Sequence, residues 1–376
     1  MTWTRVIGQQ WAKKVLASAI SSNRLAHAYL FHGPEGVGKD ALALELARVL
    51  HCEQGGEEAC GTCVSCLQIS ALRHPDLKFV IALPVGKDEA AHDPPLAKLS
   101  DNDIRAVQEQ LKRKAQEPYC RITIPRAFHI KINSVREVRR EVALSTSEGK
   151  RRVVIISRAD MMNKEAANAL LKTLEEPTGH TILILTTARH DSLLPTIQSR
   201  CQHVRFYPLS EEEIRTALIE RKQANPQRAA TIARIASGSY GAALELLEEN
   251  LDEERGKALS FVRSLLSARI IPFVEEIESM AAGRERDVVL RFLTLLLIWF
   301  RDAMVHAQGG EIINTDQAES IRKFVARFPE ADLVRSLDDI QHAISLLRRN
   351  VYIMAVLLQL AVRLRSNILP GRRTGT

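Results

Sequence analysis

The chain has no apolar run long enough to cross a bilayer. Its longest stretches, Leu295 to Phe300 and Ile353 to Leu358, fall well short of the roughly 18 residues that a span requires. Nothing here points to a membrane. The start, Met1-Thr2-Trp3-Thr4-Arg5, has no charged leader feeding an apolar stretch, and Gln9 and Gln10 interrupt the first helical pattern, so the expectation is a cytoplasmic protein. Internal repeats and low-complexity tracts are also missing, which sets aside a repeat array. Concentrated charge is lacking too: 52 Lys and Arg stand against 45 Asp and Glu, and the net +7 is spread along the chain. Such a balance permits contact with nucleic acid without pointing to it.

What is present is a chain of 376 residues, 45% hydrophobic and 26% charged, enough for two or three domains with their own cores. Over the first two hundred residues short apolar strands alternate with helical patterns, which predicts an α/β fold with a parallel sheet. The strands are expected at Ala28 to Phe31, Lys78 to Ile81, Val153 to Ser157, Ile182 to Thr186 and His203 to Phe206. Leu83 to Pro118, charged and broken by Pro84, Pro94 and Pro95, reads as a surface insertion. From Ser210, an N-cap followed by Glu211-Glu212-Glu213, only helical periodicity remains. The expected division is an α/β domain over 1–208, a small helical domain over 209–253, an all-α domain over 254–370 and a basic tail over 371–376.

Gly33-Pro34-Glu35-Gly36-Val37-Gly38-Lys39 directly follows the first strand and precedes the helical pattern Ala41 to Leu50, the context a P-loop requires. Its glycines let backbone N–H groups turn towards phosphate oxygens, and Lys39 adds a point charge. The next residue should be Ser or Thr, whose hydroxyl ligates magnesium, yet here it is Asp40, a carboxylate that could hold a cation but would repel a triphosphate. The acidic residues that end the central strand of a hydrolytic site are absent as well. Val153-Val154-Ile155-Ile156 runs into Ser157-Arg158, and Asp160 is expected to cap the following helix. Weak or absent nucleotide binding and negligible catalysis follow.

Cys52, Cys60, Cys63 and Cys66 form a C-x7-C-x2-C-x2-C cluster, with Gly55, Gly56 and Gly61 supplying turns. Four thiolates at this spacing predict a closed, structural zinc site. Glu53, Glu57 and Glu58 make the loop acidic, which disfavours a zinc-based nucleic-acid module. Cys120 and Cys201 read as free, buried thiols.

Val6-Ile7-Gly8-Gln9, Leu25 to Phe31 leading into the P-loop, the cysteine cluster, Asn168-Ala169-Leu170-Leu171-Lys172-Thr173-Leu174-Glu175-Glu176-Pro177 and Ser199-Arg200-Cys201 together resemble bacterial DNA polymerase III clamp-loader subunits of the AAA+ class. The resemblance implies an AAA+ module carrying the zinc insertion, a helical lid and a C-terminal helical collar. It also implies a hetero-oligomeric ring with gamma/tau and delta subunits that places the beta sliding clamp on primed DNA. Active gamma and tau subunits keep Ser or Thr after the P-loop lysine, an acidic pair after the central strand and an arginine in the lid. Asp40, Ser157-Arg158 and Gly241 depart from all of these, so the resemblance is to the non-hydrolysing delta prime type. It implies that Arg200 acts in trans on ATP held by a neighbouring subunit, the alternative being an arginine paired with a local carboxylate. It also makes Arg136, on a helix expected to start at Ser134 with Glu137 in a capping box, a candidate phosphate contact on DNA, with Glu137 and Glu141 available as local partners.

Overall fold

The computed structural model describes residues 3–143, 151–176, 181–248, 251–267, 270–281, 286–310, 312, 317–349 and 351–369. The basic tail 371–376 and Pro177 lie outside them. The chain divides into two compact units, Met1–Glu245 and Leu246–Thr376.

Among its described residues the first unit is built on five strands: β1 (Ala28–His32), β2 (Leu77–Val80), β3 (Arg152–Ile156), β4 (Thr181–Thr187) and β5 (Gln202–Arg205). All pair in parallel in the order β2-β3-β4-β1-β5. The five sequence-predicted strands are all present, each within a residue or so of its expected bounds. Val153 to Ile156 and Ala28 to Phe31 are buried without interruption. Such runs are what a parallel sheet covered on both faces demands, and they explain why the strands read as continuous apolar segments instead of alternating ones.

Among the described residues, ten helices belong to or begin in this unit: α1 (Gln10–Ser21), α2 (Lys39–His51), α3 (Val64–Ser70), α4 (Asp101–Gln116), α5 (Ile132–Ala143), α6 (Lys164–Glu175), α7 (Pro195–Gln198), α8 (Glu211–Lys222), α9 (Pro226–Ile235) and α10 (Tyr240–Glu248). On one face of the sheet Val135, Val138, Leu170 and Leu174 of α5 and α6 pack on Leu30, Val154, Ile156, Leu183 and Leu185. Each such fully buried aliphatic side chain contributes on the order of 1.5–3 kcal/mol.

Local signals explain the helix starts. Ser210 and Glu213 form the capping box that opens α8, the Ser210 hydroxyl accepting from the Glu213 N–H while the Glu213 carboxylate accepts from the Ser210 N–H. Two other expected caps are not formed. Asn163, not Asp160, caps α6, accepting from the Ala166 N–H at 2.8 Å. Helix α5 starts at Ile132, ahead of Ser134, and Glu137 turns to Lys78 at 2.6 Å instead of closing a box. In both cases a tertiary partner outcompetes a local one: Asp160 accepts from the Thr187 hydroxyl at 2.8 Å and lies 3.4 Å from Arg189.

The regular structure of the second unit's described residues is all helical: α11 (Leu251–Leu266), α12 (Ile270–Ala281), α13 (Arg286–Ala307), α14 (Ala318–Arg327), α15 (Leu333–Arg348) and α16 (Ile353–Ile368). Helix α13 is central, buried against α11, α14 and α15 through Phe292, Trp299 and Phe300, with Trp299 edge-on to Phe324 at 5.0 Å. Among the described residues no helix is long and apolar enough to cross a membrane.

Candidate functional site

The ends of β1, β3 and β4 converge where ligands bind in open parallel sheets, outside the carboxyl ends of the strands. The loop Gly33 to Gly38 leaves β1 there and Gly38, with φ +104°, caps α2 in a left-handed conformation. The glycine turn and Lys39 of a phosphate loop are therefore in place, with Asp40 where a hydroxyl is expected, and its charged groups are already partnered.

Lys39 turns back on its own loop. Its ammonium donates to Gly33 O at 2.8 Å and to Pro34 O. Burial pushes it down to about 8, against the opposing pull of Asp40 and Glu35. Asp40 is enclosed by donors from three directions: Ser157 Oγ after β3 and Thr186 Oγ1 at the end of β4, each at 2.8 Å, and the Lys114 ammonium, also at 2.8 Å. Burial alone would raise the Asp40 carboxyl. Lys114 and the two hydroxyls override it and hold the group below its ordinary value.

Lys114 is only 3% exposed and comes from α4, within the segment expected to be a surface insertion. The segment lies largely at the surface as expected, and from it one buried lysine reaches into the site. Its ammonium also donates to Cys120 O at 2.8 Å. No helix is expected from the sequence in this segment, and nothing local says where a lysine on the last turn of α4 reaches.

Tyr119, which follows the insertion, was likewise missed. Its hydroxyl accepts from the Ile7 N–H at 2.6 Å, its ring lies against the open side of Gly38, and it stacks edge-on to Tyr240 of α10 at 5.0 Å. Helix α10 itself closes on the loop. The Gly241 N–H donates to Gly36 O at 3.0 Å, and a Cβ on Gly36 would fall 2.1 Å from Ser239 Oγ. Gly241 thus marks a backbone contact where a side chain would have to move the tyrosine or the loop. Glu35 is left at the rim, 3.5 Å from Arg121 and 3.8 Å from Arg158.

Arg200 follows α7, far along the chain from the loop. It is paired within the chain: Nη2 lies 2.9 Å from Glu175 Oε1 at the end of α6, and Nη1 donates to Thr196 O at 3.0 Å. Its side chain retains 36% of its exposure. Arg136 is exposed on α5 beside Arg139 and Arg140 and donates to Ala91 O at 2.8 Å. Glu137 and Glu141, expected as its local partners, both hold Lys78 instead.

The sulfurs of Cys52, Cys60, Cys63 and Cys66 lie within 4.8 Å of one another, with Cys60 and Cys66 4.0 Å apart, too far for a disulfide. Backbone N–H groups converge on them: Cys60 on Cys52 Sγ, Cys63 on Cys60 Sγ and Cys66 on Cys63 Sγ, at 3.3 to 3.4 Å. N–H groups of Cys63 and Thr62 bring the Cys60 thiol down to about 6. Sulfurs roughly 3.8 Å apart are what a tetrahedral shell of bonds near 2.3 Å requires, so the set fits structural zinc. Cys120 and Cys201 are free, and burial raises both thiols, Cys201 to about 12.

Comparison with known proteins places this geometry in context. A family model described as DNA polymerase III, delta subunit, matches residues 8–210, and one described as DNA polymerase III, delta subunit, C terminal, matches residues 273–365. The chain is 28% identical over 369 residues to DNA polymerase III subunit delta' of Bacillus subtilis (strain 168), covering 94% of each chain. It is 31% identical over 282 residues to subunit delta' of Pseudomonas aeruginosa, covering 74% of this chain and 70% of that one. It is also 28% identical to subunit tau of Escherichia coli (strain K12), covering 85% of this chain and 46% of that longer protein.

Proposed function

The chain belongs to the DNA polymerase III delta-subunit family, and from that premise we propose that it is a delta prime type clamp-loader subunit that does not hydrolyse ATP and serves its neighbours in a cytoplasmic ring. The ring would comprise gamma/tau and delta subunits and place the beta sliding clamp on primed DNA. The observation that carries the reading is the Lys114–Asp40 pair. An internal ammonium stands beside the position where an active loop holds magnesium, and neither Ser157 nor Arg158 can activate water. With Lys39 on Gly33 and Pro34 and Tyr119 on the Ile7 N–H, groups that would meet a nucleotide already have partners.

Arg200 is then the part that acts. Carried at the surface after α7, its guanidinium would reach the triphosphate held by the adjacent subunit and stabilise charge on the transferring phosphoryl group. The zinc held by Cys52, Cys60, Cys63 and Cys66 braces the start of α3 and takes no part in chemistry, and the exposed Arg136 would follow the DNA backbone.

The test is ATP turnover by a reconstituted loader, with clamp and primed DNA present, carrying either the wild-type chain or Arg200→Ala. A loss of about 10³-fold at the affected neighbouring site, with no turnover by the isolated chain, supports the reading. Unchanged turnover with Arg200→Ala would remove the trans role. ATP hydrolysis by the isolated chain would instead make it a motor subunit.

A further inference from the structure

The pairing of Arg200 has a peculiarity that a merely solvated arginine would not need. Its partner Glu175 is the last residue of α6, where the helix macrodipole disfavours a carboxylate, so a cation placed there offsets a cost. Arg200 supplies that cation with Nη2 at 2.9 Å, while Nη1 is occupied by Thr196 O at 3.0 Å and Ser199 Oγ at 3.4 Å. Both donating ends of the guanidinium are thus directed at acceptors of its own chain.

The hold is weak by construction. Glu175 and Arg200 are 48% and 36% exposed, and pairs screened by water to that degree are easily exchanged. A triphosphate offers the same fork-shaped donor a stronger, charge-assisted partner. We infer that Glu175 parks Arg200 on its own chain and releases it only when a neighbouring subunit brings a triphosphate within reach, making Glu175 a positioning residue that holds turnover low before the ring closes. This rests on the trans-acting role of Arg200 proposed above.

In the free or loosely assembled ring, the guanidinium has a local carboxylate to return to. Closure around clamp and DNA brings the phosphate near enough to outcompete it. Removing the Glu175 charge should therefore raise turnover mainly where closure is incomplete, and the effect should be on kcat, since Arg200 would stabilise charge that develops during transfer.

The experiment is steady-state ATP hydrolysis by the reconstituted loader, with clamp and primed DNA either omitted or added. The chains compared are wild type, Glu175→Gln, Glu175→Asp, Arg200→Ala and the double variant Glu175→Gln/Arg200→Ala. Expected is a rise in kcat of about three-fold for Glu175→Gln without clamp and DNA, matching the modest strength of an exposed pair, so that the stimulated-to-unstimulated ratio falls. Glu175→Asp, which keeps the charge, should stand closer to wild type, and the double variant should stay at the Arg200→Ala level. Loss of turnover with Arg200→Ala, combined with no rise for Glu175→Gln or an equal rise in the double variant, overturns the parking role alone. No effect of Arg200→Ala overturns the trans role and the parking role together.

Discussion

Lys114 and Asp40 are joined at 2.8 Å across 74 positions of the chain, linking the last turn of an insertion helix to the first turn after the phosphate loop. The pair is enclosed, and the partners of a buried pair are strongly interdependent. Lys114→Met should destabilise the protein by about 2–3 kcal/mol, somewhat less than a fully buried break because Ser157 and Thr186 still donate to Asp40. Urea unfolding at neutral pH measures it. Asp40→Ala/Lys114→Met should recover most of the loss, and a double variant as unstable as the single one would deny the coupling.

The same pair sets an acid limit. The Asp40 carboxyl titrates below its ordinary value when folded, so the unfolded chain binds the proton first as pH falls. Its stabilisation is complete above about pH 4 and is lost as pH drops through the folded value. Asp40→Asn should flatten the stability profile in that range, measured as unfolding free energy from neutral to strongly acidic buffer.

Lys39 works at the other end of the scale. Folded at about 8 and unfolded near 10.4, it is bound by fewer protons in the native state between those values. Stability should therefore rise as pH increases from about 8 to about 10.4, and Lys39→Met should abolish that rise. Thermal melts across this window of pH decide it, and an unaltered slope in the variant would assign the effect elsewhere.

Gly36 is required for reasons of space and of backbone. At φ +71°, with Ser239 Oγ 2.1 Å from a Cβ and the Gly241 backbone at 3.1 Å, it admits no side chain without displacing α10. Gly36→Ala should cost about 2–3 kcal/mol. Amide exchange at Gly241, whose N–H donates to Gly36 O, should quicken beyond the global loss.

The cysteine cluster should carry one tetrahedral metal. Elemental analysis of protein purified without added zinc is expected to find it, and Cys63→Ser should lose it while its hydroxyl can still cap α3, so that the loss reports the metal alone. Since the metal's binding free energy, on the order of 10 kcal/mol for such sites, is coupled to local folding, chelation should lower the melting temperature of the wild type and not of the variant.

The sheet, the phosphate loop and the cysteine cluster were determined by sequence alone, because each is a local pattern: an apolar run bounded by turns, glycines at fixed offsets, thiols at short spacing. The defects at Asp40 and Ser157-Arg158 were equally legible, as missing chemistry is visible wherever the motif is. What those defects became was decided by tertiary structure. Asp40 looked like a charge that would repel phosphate, and the fold neutralises it with Lys114, a residue whose role has no local signature. Tyr119 on the Ile7 N–H, Gly241 on Gly36 and Arg200 on Glu175 are of the same kind. Asp160 and Glu137 likewise passed over neighbouring backbone for distant partners. Short-range periodicity specifies elements, whereas the pairing of buried polar groups depends on which elements meet, and only the folded chain brings them together.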